Sequence, residues 1–281
     1  MIEMIGFLAL PFLASILILL VLGYLGMHVV DREIIFIDIA LAQIAALGAT
    51  FAHVIFQIGE GSLWSYVFAF GCTIAAALFL AIADRRITQI THEAIIGVLY
   101  AISSAAALFI LATSAGGETH MEHMLAGNIL WVTWPDIILA GSVFLAVGIF
   151  HFIFRKKFIH LSETIREEST REKGATERGA LKWNFLFYVS MGLVITVAVN
   201  IAGVLVIFSF LIIPAVFALV FTTSWLGRLM YAWAAGLAAI ILGLLVSYTF
   251  DYSCSPSIIS FLGLFLIAAG VYRRIRPKQP V

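Results

Sequence analysis

Charge is scarce in this chain. Only 11% of its 281 residues are Asp, Glu, Lys or Arg, while 63% are hydrophobic, and the mean hydropathy is +1.09. A water-soluble fold of this size cannot bury so much apolar side chain, which excludes a soluble enzyme or binding module. The 16 Lys and Arg balance 16 Asp and Glu, so the strongly basic surface of a nucleic-acid-binding domain is absent. Cysteine is limited to Cys72 and Cys254, too few for a disulfide framework and without zinc-ribbon spacing. No Gly-Lys dipeptide occurs; a phosphate-cradling loop needs that pair after a glycine-rich turn, so ATP hydrolysis by that route is excluded. His92 and Glu93 open a pattern like the zinc-protease helix, but Ile96 stands where the second histidine belongs. A G-x-S-x-G nucleophile elbow is missing too. The chain is therefore read as a membrane protein that is not itself an enzyme and binds no cofactor of its own.

Long apolar runs are what the chain has in abundance. Crossing the hydrocarbon layer takes roughly 20 apolar residues in a helix. Stretches of that length, bounded by charge, Gly, Pro or Asn, fall at 4–26, 34–56, 62–83, 94–115, 135–154, 183–200, 203–222, 229–250 and 255–272. The expected fold is an all-α, polytopic helical bundle of eight or nine transmembrane helices, one transmembrane domain over 1–281. The opening MIEMIGF has neither the basic start nor the small-residue cleavage site of a signal peptide, so the first run is read as a retained helix.

Lys and Arg are held back on the cytoplasmic side of a bilayer. Here Arg32, then Arg85 and Arg86, then the residues from Arg155 to Lys182, then Arg228, then Arg273, Arg274, Arg276 and Lys278 all fall in alternate loops. The intervening loops hold no Lys or Arg and carry Glu3, Glu60, Glu118, Glu122 and Asp251. Nine spans with the N-terminus outside and the C-terminus cytoplasmic satisfy this pattern. The longest inner connection, 155–182, mixes both signs of charge at helical spacing. A solvated helical hairpin and a docking surface for a cytoplasmic partner both fit it.

A charge at the bilayer centre costs about 2.5–3.5 kcal/mol on insertion scales, so ionisable residues within spans are candidates for a transport path. Asp38, Gln43 and His53 lie on the second span. Counted from Arg32 at about 1.5 Å per residue, Asp38 falls roughly 9 Å inward and Gln43 roughly 16 Å. Some 140° of helix rotation separates them, so they form no two-ligand pair by themselves. A helix-to-helix hydrogen bond among the small residues Ala40, Ala42, Ala45, Ala46 and Gly48 accounts for Gln43 equally well. Glu93 opens the fourth span, where a helix N-terminus favours a carboxylate. In the outer loop GGETHMEHMLAGN, His120, Glu122 and His123 crowd three metal-ligand side chains into four residues. Imidazole with carboxylate suits zinc, manganese or iron(II). Asp251 adds a carboxylate in the outer turn DYSCSP, where it serves equally as a turn former.

Five segments, in order along nearly the whole chain, carry a family resemblance. IDIALAQIAALGATFA at 37–52 looks like a helix with an acidic residue, a histidine four later and a glycine five beyond that. EAIIGVLYAISSA, from Glu93, is similar to D-T-x-x-G-I. EHMLAGNILWVTWPDI, from Glu122 to Ile137, resembles D-H-x-L-F-G-x-x-L-x-V-T-x-x-D. GVLVIFSFLIIP, Gly203 to Pro214, matches G-x-L-x-x-x-x-L-L-I-I-P, and DYSCSP fits D-x-x-x-G-P with Ser255 in place of glycine. These are the motifs of the permease subunits of bacterial ABC importers for zinc, manganese and iron(II).

The resemblance implies a half-transporter in the bacterial cytoplasmic (inner) membrane. Two permease chains form a homodimeric path, a dimer of cytoplasmic ABC ATPases binds beneath and uses the ATP, and an extracytoplasmic metal-binding protein delivers the ion. External His120, Glu122, His123 and Asp251 would then receive the metal, and Asp38, Gln43, His53 and Asp136 would line its passage. The segment 211–224 would couple to the ATPase through Pro214, Ala215, Phe217, Ala218 and Phe221. This chain departs from the pattern at Gln43, which replaces the histidine, and at Ile39, which replaces the aspartate four residues before it, with Asp38 one position early. The shift turns the carboxylate by about 100°. The F-D-x-x-x-A pattern after the fifth span is also missing, which leaves the role of 155–182 open. Two other readings exist. An ion-coupled secondary transporter needs paired carboxylates inside the bundle and inverted repeats, and a non-transporting membrane scaffold would use 155–182 for partner binding.

Overall fold

The computed structural model describes residues 2–59, 62–86, 89–112, 129–170 and 180–275. Among these residues the chain forms nine α-helices and one 3-10 turn. They are α1 (Ile2–Asp31), α2 (Ile37–Phe56), α3 (Leu63–Arg86), α4 (His92–Leu111), the 3-10 turn Ile129–Trp131, α5 (Trp134–Ile153), α6 (Arg155–Thr170), α7 (Ala180–Phe221), α8 (Trp225–Phe250) and α9 (Cys254–Ile275). All except α6 are long and apolar enough to cross a bilayer. Helix is the form these runs must take, because in hydrocarbon a segment satisfies its N–H and C=O groups only along its own axis. Side chains such as Phe109, Ile138, Leu145 and Ile267 point out of the bundle, as lipid contact requires.

α7 spans 42 residues, which as a straight rod would be about 63 Å, twice a bilayer core. It is not straight. At Gly203 the backbone leaves helical geometry, with φ 77° and ψ 161°, a conformation open to glycine and costly for residues with a Cβ. The two arms double back on the same stretch of α1. Arg32 bonds Asn184 in the first arm, while Gly26 abuts the Leu211 carbonyl in the second. On a straight helix those two α7 residues would be about 40 Å apart. The eight apolar helices therefore make nine passages between the two ends of the bundle, as the runs 183–200 and 203–222 anticipate.

Small residues set the spacing of the central helices. A Cβ on Gly26 would overlap the Leu211 carbonyl, and one on Gly48 of α2 would lie 2.7 Å from the Phe68 carbonyl of α3. Such backbone contact is how membrane helices gain packing without a hydrophobic driving force between them. α1, α2 and α7 consequently form the buried centre, with Leu22, Leu41, Ala198 and Phe210 fully enclosed.

The basic connections all gather at one end, and contacts across it tie them together. Ser162 meets Arg32 and His28, Tyr188 meets His92, Arg228 meets Asp31, and Arg273 reaches the Val220 carbonyl. Of the segment 155–182, read as a solvated hairpin or a docking surface, the described first part is not wholly solvated. It is one helix, α6, that lies against the bundle with Phe158 and Ser162 buried. Residues 171–179 lie outside the described residues. Apolar Phe158 and polar Ser162 are four apart, on one helix face, so the charge pattern alone concealed a docked side.

Candidate functional site

α2 is preceded by a tight turn rather than by continuing helix. α1 ends at Asp31, Glu33 adopts φ 56°, and Ile37 begins the next helix. Counting helical rise from Arg32 therefore set Asp38 and Gln43 too deep. Asp38 stands in the opening turn of α2 near the basic end, and Gln43 is about 9 Å along the axis from Ile37. Asp38 is 1% exposed, and its Oδ1 has no hydrogen-bond partner among the described residues. The helix N-terminus favours a carboxylate there, but a buried carboxylate oxygen left unpaired is costly. Gln43 is buried on the same helix, among the small residues named above.

The other expected path residues sit at the opposite end in local roles. His53 holds the C-terminus of α2 through Nδ1 and the Ile58 carbonyl, 3.0 Å apart, where Gln57 takes the left-handed cap conformation. Asp136 completes a capping box on α5: its Oδ2 accepts from the Thr133 N–H at 2.9 Å and the Thr133 hydroxyl at 2.6 Å. Asp136→Ala is expected to cost about 1 kcal/mol and to speed amide hydrogen exchange in the first turn of α5. Unchanged exchange there would remove the capping role. Asp251 is the exposed, left-handed C-cap of α8, consistent with the turn-former alternative. His120, Glu122 and His123 lie outside the described residues. Among the described residues, no three His, Cys, Asp or Glu gather into a group able to hold a metal ion. At the head of α4 the cap is Thr91, whose hydroxyl accepts from the Ala94 N–H, while Glu93 occupies the first turn.

The expected coupling segment is the end of α7 and the turn after it. Pro214 lies within the helix, where it withholds a backbone donor. Ala215 packs on Gly26 of α1. Phe217 and Phe221 have ring centroids 5.0 Å apart, and Phe221 stacks on Tyr231 of α8 at 5.1 Å; Ala218 is fully buried. Residues 211–221 thus continue α7 without a separate helix, and the turn Thr222–Ser224 links it to α8. Ser224 caps α8 by accepting from the Gly227 N–H. Leu226, 73% exposed, presents an apolar side chain beside this turn.

A polar cluster that the sequence reading missed lies under that turn. Arg228 is fully buried and bonds both carboxylate oxygens of Asp31, at 3.0 and 2.9 Å. Arg32 donates to Ser162 and Asn184 and lies 4.0 Å above the Phe187 ring. Ser162 accepts from Arg32 and also hydrogen-bonds His28 Nδ1, 2.9 Å away. His151 pairs with Ser190, 2.8 Å away; Ser190 already donates to the Phe187 carbonyl, so His151 Nε2 carries the proton. Arg32 and Arg228 had been counted only as loop charges. The available signal was position, an acidic residue closing α1 and a basic one opening α8.

Comparison with known proteins accords with this architecture. The model of the ABC 3 transport family matches residues 4–273. The manganese transport system membrane protein MntC of Listeria innocua is 26% identical over 284 aligned residues, covering 98% of this chain and 92% of that protein. The high-affinity zinc uptake system membrane protein ZnuB of Buchnera aphidicola is 27% identical, with 88% and 90% covered. In fold, the chain is similar to a solved structure of PsaBC from Streptococcus pneumoniae in complex with Fab. The TM-score is 0.75 at 21% identity, covering 98% of this chain and 100% of that one. With residues 4–273 covered by a single family model and a bundle that follows a solved chain throughout, this protein belongs to the ABC 3 transport family.

Proposed function

We propose that the chain is the membrane-spanning permease of an ATP-driven importer that moves zinc, manganese or iron(II) across the cytoplasmic membrane. The observation that carries this reading is the family match over 4–273, joined to near full-length relatives named for manganese and zinc transport. ATP is hydrolysed by a separate cytoplasmic subunit, in keeping with the missing phosphate loop. The basic end faces the cytoplasm, placing the N-terminus outside, because that end collects the Lys and Arg of every alternate loop. Two copies of the chain enclose the path, and an external binding protein loads it. His120, Glu122, His123 and Asp251 form the receiving mouth, and Asp38 and Gln43 line the passage. Alternating access shifts the helices between outward and inward forms as the ATPases close and open.

Reconstitution with its cognate ATPase and metal-binding protein tests this. Radiolabelled zinc or manganese is expected to accumulate in proteoliposomes only when ATP is present on the ATPase side. Accumulation that persists without ATP, and collapses instead with a proton gradient, would replace the reading with a secondary transporter.

A further inference from the structure

We infer that Asp31 and Arg228 form a rigid buried joint that carries movement of the turn Thr222–Ser224, where the ATPase acts, into the α1–α2 turn and the helix bearing Asp38. This inference rests on the permease reading above. Its first support is that both charges sit at the wrong ends of their helices. Asp31 closes α1, where exposed carbonyls disfavour a carboxylate, and Arg228 stands in the opening turn of α8, where free N–H groups disfavour a cation. Local helix energetics give neither residue a reason to be there; each is stabilised by the other.

Geometry supplies the second support. Side-chain exposure is 0% for Arg228 and 3% for Asp31. The guanidinium uses one nitrogen for both carboxylate oxygens and another for the Met27 carbonyl at 3.4 Å, so its orientation is set from two sides. Buried ion pairs add little stability over apolar side chains of the same size. What they add is direction, because a planar cation held at several points resists both sliding and rotation.

The joint is also clamped. Arg166 of α6 reaches Asp31 at 3.5 Å, and the Trp225 indole donates to Glu163 of α6 at 2.9 Å. Trp225 further packs on His28 of α1, with centroids 4.7 Å apart, and its ring lies 5.2 Å from the Arg228 guanidinium carbon. Displacing the turn before α8 must therefore displace the end of α1. From there the chain runs through a compact turn closed by Ile34 N–H to the Val29 carbonyl and Ile37 N–H to the Ile34 carbonyl. Asp38 follows directly. α6 acts as the strap over this joint, which is the use the structure assigns to the first part of 155–182.

The test measures metal uptake and ATP hydrolysis on the same proteoliposomes, containing permease, cognate ATPase and binding protein. Asp31→Asn and Arg228→Gln are each expected to lower metal moved per ATP about tenfold, while ATP hydrolysis stays within about threefold of wild type. The exchanged pair, Asp31→Arg with Arg228→Asp in an Arg166→Gln background, puts each charge at its favoured helix end and is expected to recover most of the ratio. Trp225→Phe keeps an aromatic ring, smaller than the indole, and removes the bond to Glu163; it is expected to lower the ratio about threefold, and it decides the matter if the charge variants do not assemble. An unchanged ratio, a proportional fall in uptake and hydrolysis, or an assembled exchanged pair without recovery would overturn the joint alone. Wild-type protein without ATP-driven uptake would overturn the permease reading and the joint with it.

Discussion

Asp38→Asn is expected to make the purified permease more stable and, in the same protein, to cut ATP-driven metal uptake about tenfold or more. The opposing signs are the point. Asp38 is 1% exposed, and one carboxylate oxygen has no partner among the described residues. Held out of water, an unpaired ionised carboxylate carries a cost beyond the about 1–3 kcal/mol of an unpaired neutral amide. Asparagine has nearly the same shape and no charge, so the substitution removes that cost and leaves the packing around α2 in place. At roughly 2–4 °C per kcal/mol for a chain of this size, the gain is readable as a higher Tm in detergent or lipid. A residue kept for packing alone would gain stability and keep uptake. A residue kept to attract a divalent cation gains stability and loses transport, the trade-off expected where function opposes folding. Full uptake in the Asn variant would remove Asp38 from the path.

Gly26→Ala is the second large effect. Its Cβ would overlap the Leu211 carbonyl, and a backbone oxygen inside a helix cannot rotate away as a side chain would. α1 and the second arm of α7 must separate, loosening the contacts Gly26 shares with Ala215. Overpacking of this kind costs about 1–3 kcal/mol or more. Gly148→Ala is the matched control, because a Cβ at Gly148 on α5 meets nothing within 4 Å. It is expected to be neutral or to stabilise by up to about 1 kcal/mol, through the better helix propensity of alanine. Thermal unfolding of the two variants side by side checks the prediction. Equal Tm values would mean that α1 and α7 do not meet at this depth.

Much of the fold is legible without coordinates, and the reasons are particular. The runs 34–56 and 135–154 anticipate α2 and α5 to within a few residues, because charge and proline mark where a helix leaves hydrocarbon. The break between 200 and 203 is readable from Asn200 and Gly203, and it becomes the reversal inside α7. The alternation of basic loops is likewise readable, and the structure brings those loops to one end. Depth along a helix is read less well. Asp38 was set too far inward because the turn 32–36 was counted as helix, and nothing in the stretch REIIF announces that Glu33 takes a positive φ.

The candidate site divides in the same way. Asp38, as a carboxylate in an apolar run, stands out in the sequence, as does the capping box of Thr133 and Asp136 in retrospect. Asp31, Arg32 and Arg228 do not, because charged residues at helix ends are ordinarily solvated. Whether such a residue faces water or a partner depends on elements far apart in the chain, here α1, α6, α7 and α8.

The sequence alone determined what the chain is made for: a bilayer, crossed repeatedly, with its Lys and Arg confined to alternate loops and no phosphate-cradling Gly-Lys loop. Those properties follow from composition and periodicity, which act locally and need no partner. Only the tertiary structure decided that Arg228 is buried against Asp31, that α6 is strapped across the bundle, and that Gly26 touches a backbone 185 residues away. Each depends on which helix faces which. In a membrane every helix is already apolar, so the choice is made by shape and by a few buried polar pairs rather than by hydrophobic pattern.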